Sequence, residues 1–67
     1  MNRTWQDIEE IAADLAGRYP DVDPLSVPLT DLKRMVTALP GFGDDPDVVT
    51  EETLEEIQSA WYDAFEG

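Results

Sequence analysis

Apolar residues recur at helical spacing in three stretches of the chain. In the first, Trp5, Ile8, Ile11, Ala12 and Leu15 fall on one face, which predicts a helix over residues 5–17. Thr4 suits its N-cap, and Asp7, three residues on, resembles the acid of a capping box. Gly17 is a natural stop, and Pro20 enforces it. In the second, Leu32, Met35, Val36 and Leu39 form an i, i+3, i+4, i+7 stripe, which predicts a helix over residues 31–39. Thr30 is its expected N-cap, Asp31 favours the positive end of the helix dipole, and Pro40-Gly41 ends it. In the third, Leu54, Ile57, Trp61 and Phe65 line one face of a helix predicted over residues 51–65, with Ala60 and Ala64 at its margin. Thr50 caps it, and Glu51 and Glu52 occupy the first turn, where acids are stabilising.

Two connectors join these helices. Residues 19–24, Tyr-Pro-Asp-Val-Asp-Pro, make a rigid turn that runs on through Leu25, Ser26, Val27, Pro28 and Leu29. The second connector runs from Gly41 to Val49. Val27–Leu29 and Val48-Val49 are short apolar pieces that could pair as minimal strands, with Pro28 confining the first to an edge. The expected fold class is therefore mainly α: three helices in a reduced winged-helix-like arrangement with one or two very short strands. A plain three-helix bundle is the alternative. No repeat, low-complexity tract or internal linker interrupts the chain, so residues 1–67 read as one domain.

Composition tightens this picture. A domain of 67 residues is near the lower size limit for a self-sufficient core. The large apolar residues Trp5, Tyr19, Leu32, Met35, Phe42, Leu54, Ile57, Trp61 and Phe65 are therefore expected to pack. The chain has no cysteine and no histidine, which excludes disulfides, thiolate metal sites and Cys/His or Ser/His/Asp catalysis. The N-terminal Met-Asn-Arg-Thr-Trp is followed by no apolar run, so neither a signal peptide nor a membrane span is expected, and the default compartment is the cytoplasm.

Charge adds most. Sixteen acidic residues face four basic ones, for a net charge of −12. Nucleic acids and anionic membranes are bound through Lys and Arg and would be repelled. A partner should be basic or be a cation, although high charge also serves solubility. Asp7, Glu10 and Asp14 fall together on the first helix, and Glu52, Glu56 and Asp63 on the third, each away from the apolar face. The ordinary reading of such a ridge is a solvated face. Like charges at i, i+4 nevertheless cost a helix a few tenths of a kcal/mol.

The connectors hold Asp21 and Asp23 between prolines, and Asp44, Asp45 and Asp47 around Pro46. Clustered carboxylates are hard oxygen ligands that suit divalent cations. The spacing matches no tight metal loop, so binding should be weak, and Asp in such places also serves turns and caps. Nothing marks a carboxylate pair as a catalytic acid and base, and a chain of this size has little room for a pocket. No enzymatic activity is expected. The third helix carries no Lys or Arg and cannot read DNA. Lys33 and Arg34 could make a small positive spot, but Arg3, Arg18, Lys33 and Arg34 are all expected to pair with neighbouring acids.

The motifs in combination resemble a known family. Trp5-x-Asp7 is followed by Tyr19-Pro20-Asp21-x-Asp23-Pro24, then Val27-x-x-Thr30-Asp31. Leu39-x-x-Phe42-x-Asp44-Asp45-Pro46 comes next, and finally Leu54-Glu55-x-Ile57 with Trp61. This order and spacing resemble IscX, the small acidic accessory protein of bacterial iron–sulfur cluster assembly, over nearly the whole chain. The departures, Pro40-Gly41 and the terminal Ala-Phe-Glu-Gly, fall on no specified position of the motif blocks. The resemblance implies a winged-helix-like fold. It also implies binding to the cysteine desulfurase of the system, at a basic surface shared with the bacterial frataxin homologue, and weak Fe²⁺ binding through surface acids. Carried over by position, the implied partner contacts are Asp7, Tyr19, Asp21, Asp23, Asp31, Asp44 and Asp45, and the implied weak metal ligands are Asp21, Asp23, Asp44 and Asp45. The function expected is an adaptor, regulator or iron donor with no tightly bound cofactor. The alternatives are a dedicated iron carrier without desulfurase binding and a non-specific acidic module.

Overall fold

The computed structural model describes residues 3–66. Three helices, α1 (Ile8–Arg18), α2 (Leu29–Thr37) and α3 (Glu51–Glu66), alternate with two 3-10 turns, Pro24–Ser26 and Pro46–Val48. The mainly α, three-helix expectation holds. No helix among the described residues is long and apolar enough to cross a membrane.

α3 is the spine. α1, α2 and the first 3-10 turn all pack on it. Ile11, Ala12 and Leu15 of α1 meet Leu32 and Val36 of α2 and Leu54, Ile57 and Trp61 of α3 in one core, closed by Trp5 and Leu39. Tyr19, Met35 and Phe42 pack partly buried against it. Phe65 departs from its expected burial. It is 38% exposed because α3 runs one turn past Trp61, its last buried residue.

The helix boundaries show where tertiary contacts overrule local signals. The first helix starts at Ile8, not Trp5, because Trp5 is pulled across the domain. Its indole stacks edge-on against Phe42 with ring centroids 4.7 Å apart. Thr4 and Asp7 do interact, but in a turn that precedes the helix: the Thr4 N–H donates to Asp7 Oδ2 at 3.0 Å, and the Asp7 N–H to the Thr4 carbonyl at 3.0 Å. Gly17 is helical, and α1 ends one residue later. The stop comes from Pro20, which excludes helical dihedrals at Tyr19 (φ −127°, ψ 60°). α2 starts at Leu29, two residues before the expected Asp31. Pro28, not Thr30, holds its N-cap position, extended at φ −61°, and its carbonyl accepts the Leu32 N–H at 2.9 Å. For α3 the expected cap is present, with the Thr53 N–H donating to Thr50 Oγ1 at 3.2 Å.

The expected strand pair does not form. Val27 closes the first 3-10 turn, its N–H donating to the Pro24 carbonyl at 3.3 Å, and Leu29 opens α2. Val48 belongs to the second 3-10 turn. The one isolated bridge among the described residues is parallel and joins Arg3 to Phe42. Arg3 donates to the Gly41 carbonyl at 2.7 Å and accepts from the Gly43 N–H at 2.9 Å. The Phe42 N–H returns to the Leu39 carbonyl at 3.1 Å across Pro40 and Gly41, whose φ of 86° suits the third position of a type II turn.

Candidate acidic interaction surface

The two connectors use one device twice. At Asp23-Pro24, the Asp23 carboxylate accepts the Leu25 N–H at 3.0 Å, and its carbonyl accepts the Ser26 hydroxyl at 2.8 Å. At Asp45-Pro46, the Asp45 carboxylate accepts the Asp47 N–H at 2.9 Å. In each case Pro fixes φ at the first position of a 3-10 turn and lacks an N–H that would need a partner, while the preceding Asp caps the next free donor. One carboxylate oxygen is thereby fixed to the backbone. Both residues remain exposed, so their charge still faces solvent.

Asp44 is engaged through both oxygens. Its Oδ2 accepts the Trp5 N–H at 3.2 Å, and its Oδ1 accepts the Asp45 N–H at 2.8 Å. The Trp5 indole N–H then donates to the Asp45 carbonyl at 2.8 Å. Trp5 reads from sequence as core alone, but it also fixes the Asp44-Asp45 loop. No local pattern signals this, since the partners lie at sequence separations of 39 and 40.

The predicted contacts thus fall into three places. Asp7, Asp44 and Asp45 gather around the segment at Thr4 and Trp5. Tyr19, Asp21 and Asp23 follow the far end of α1, where the Tyr19 ring meets Trp61 edge-on at 6.5 Å and the Val22 N–H returns to the Tyr19 carbonyl at 3.2 Å. The 11 residues of α1 separate these groups, about 16 Å along the helix axis. Asp31 stands exposed in the first turn of α2. Among the described residues, no group of three or more acidic side chains is arranged to hold a metal ion.

The basic residues decide which acids carry an uncompensated field. Arg3 reaches Asp14 and Glu10, and Arg18 lies 4.0 Å from Asp14, so the α1 ridge is largely neutralised. Lys33 lies 3.6 Å from Asp47. Arg34 makes no ion pair among the described residues, unlike the other three. Glu52, Glu56 and Asp63 on α3 are exposed and likewise unpaired among the described residues. A surface depression of about 370 Å³ is lined by Gln6, Asp7, Ile8, Glu9 and Glu10, consecutive residues at the start of α1, so it brings no groups together from separate elements.

Gln58 is a further positioning residue that sequence reasoning passes over. Its amide donates to the Pro24 carbonyl at 2.8 Å and the Val27 carbonyl at 3.0 Å, which seats the first 3-10 turn, and with it Asp23, on α3.

Comparison with known proteins agrees with the motif pattern. A protein of Pseudomonas aeruginosa strain PAO1, described as uncharacterized, is 48% identical over 61 residues, covering 91% of this chain and 92% of that protein. Residues 3–66, which include every acidic connector, match the family described as "Iron-sulphur cluster assembly". This chain belongs to that family, the IscX family of iron–sulfur cluster assembly proteins.

Proposed function

We propose that this chain is a non-enzymatic accessory protein of cytoplasmic iron–sulfur cluster assembly, which docks its acidic connectors on a basic face of the cysteine desulfurase. The observation that carries this reading is the pair of Asp-Pro turns. They hold Asp23 and Asp45 in fixed backbone geometry yet leave both exposed, on a chain of net charge −12. A pre-ordered set of like charges loses little entropy on docking and steers a basic partner toward the correct face. Two acidic groups at opposite ends of α1 suit an extended basic surface better than a single ion. A bacterial frataxin homologue that uses the same basic surface would compete.

Fe²⁺ enters this reading as a weak, exchangeable ligand of Asp21, Asp23, Asp44 and Asp45. Carboxylates suit such an ion. Three of these four already accept backbone N–H groups, so each could offer an ion only its remaining lone pairs. Regulation or delivery at the docked partner fits this arrangement better than storage as a dedicated carrier. The test is capture of the chain by immobilised cysteine desulfurase at low and high salt, with and without Fe²⁺. Binding should fall steeply with salt and persist without iron. Salt-independent capture, or capture only with iron, would refute the reading.

A further inference from the structure

The apolar stripe of α3 is longer than the core that covers it. Leu54, Ile57 and Trp61 are buried, but Phe65, next on the stripe, is 38% exposed. Leu25, in the first 3-10 turn, is 60% exposed. These two belong to one side of the domain. Gln58 holds the Leu25 turn against α3 through the carbonyls of Pro24 and Val27. At about 100° per residue, Tyr62 and Phe65 follow Gln58 on the same helix face, one and two turns further on.

Acids rim this side. The Tyr62 hydroxyl donates to Glu66 Oε1 at 2.8 Å. Its phenol is pushed above the usual tyrosine value by that bond first, then by the charge of Glu66, with smaller contributions from desolvation and from the charges of Asp23 and Asp63. Asp23 immediately precedes Pro24, whose carbonyl Gln58 holds, so the connector carries it to the same side of α3. No Lys or Arg occurs between Arg18 and Lys33, or anywhere after Arg34.

We propose that Leu25, Tyr62 and Phe65, rimmed by Asp23 and Glu66, form a docking strip for a basic amphipathic helix of a partner protein. The apolar residues would meet the partner's apolar face and the rim its flanking Lys and Arg, as in helix-in-groove recognition. Charge selects this occupant. A second copy would set acid against acid across two chains of −12 each, and anionic lipid would be repelled in the same way. A partner recognised by charge alone would give no role to exposed Leu25 and Phe65. The strip shares Asp23 with the proposed desulfurase face but omits Asp7, Asp44 and Asp45, so peptide binding here and capture by the desulfurase can fail separately.

The test uses the full chain and two synthetic Lys/Leu peptides of identical composition, one with its leucines on a single helical face and one scrambled. Binding is followed by amide chemical shifts in the ¹⁵N-labelled chain. The amphipathic peptide should bind at least roughly tenfold tighter than the scrambled one, with shifts concentrated at residues 23–27 and 58–66. The double variant Leu25→Ser/Phe65→Ser, altered only at exposed positions, should remain folded and lose that preference. Asp23→Asn/Glu66→Gln should keep the preference and flatten the salt dependence. Equal binding of the two peptides, shifts centred elsewhere, or an unchanged double variant would overturn the proposal. So would a concentration-dependent dimer that the Leu25→Ser/Phe65→Ser variant dissolves, since a second copy would then be the occupant.

Discussion

The indole Nε1 of Trp5 donates a 2.8 Å hydrogen bond to the carbonyl oxygen of Asp45, a residue 40 positions away. With the Asp44 carboxylate on the Trp5 N–H and the Phe42 ring against the indole, it ties the N-terminal segment to the more acidic connector. Trp5→Phe keeps an aromatic ring beside Phe42 but leaves the Asp45 carbonyl without its donor. The expected loss is about 1–3 kcal/mol from the missing hydrogen bond and its unsatisfied acceptor. That corresponds to a drop of at least about 4 °C in Tm for a domain of this size. Amide exchange should quicken at residues 43–47 and stay unchanged in α3. Uniformly faster exchange would show that Trp5 serves the core alone.

Two glycines should respond in opposite senses to the same substitution. Gly17 lies within α1, and a Cβ built there meets nothing within 4 Å. Gly17→Ala should stabilise by about 0.5–1 kcal/mol, since alanine loses less backbone entropy in a helix. Gly41 sits at φ 86° in the turn that aligns Phe42 with Arg3. Gly41→Ala should cost about 1–2 kcal/mol of left-handed strain. Chemical denaturation of both variants checks the pair, and a matching sign in the two would contradict the assigned backbone conformations.

Tyr62 carries a pH dependence of defined sign. Its folded pKa is raised above the model-peptide value of 10.0, first by the hydrogen bond to Glu66 and then by the Glu66 charge. In the unfolded chain the phenol ionises earlier than in the folded one. Its contribution to stability is therefore fully present below about pH 10 and is lost as pH rises through the folded value. Glu66→Gln should bring the phenol titration, followed by the NMR shift of the Tyr62 ring, back toward the ordinary value. An unmoved titration curve would show that Glu66 does not set it.

The mix of legible and illegible features follows from the range of the interactions behind them. α3 is read correctly from its start because Thr50 acts within one turn, with its Oγ1 on the Thr53 N–H. The Pro40-Gly41 turn is equally local, but it does not end the second helix as expected: α2 stops at Thr37, with Ala38 at its C-cap. The start of α1 is misread because Trp5 answers to Phe42 and Asp45 rather than to Ile8. The strand expectation at Val27–Leu29 and Val48-Val49 fails for a different reason: short apolar pieces suggested strands, but each follows an Asp-Pro pair whose capped turn leaves no free ladder to pair. The acidic site is legible as residue types. The cap that each Asp serves is visible only once the backbone path is known, and the same holds for Gln58, whose partners are carbonyls.

The caps allow charge and structure to be separated at the same residue. Asp45 accepts the Asp47 N–H through its side-chain oxygen, and Asp23 accepts the Leu25 N–H in the same way. Asparagine keeps a carbonyl oxygen in that position and removes the charge, whereas alanine removes both. Asp23→Ala and Asp45→Ala should each lose about 1 kcal/mol of stability, the usual cost of deleting a capping side chain. The Asn variants should melt within a degree or two of the parent, well under the shift about 1 kcal/mol would give. If the connectors act through their field, the Asp23→Asn/Asp45→Asn double variant should bind the desulfurase more weakly at low salt and converge with the parent at high salt, with the loss in association rate rather than dissociation. A double variant that keeps both its melting temperature and its low-salt affinity would confine these two residues to building the turns, and the docking charge would then have to come from Asp7, Asp21, Asp31, Asp44 and the α3 ridge.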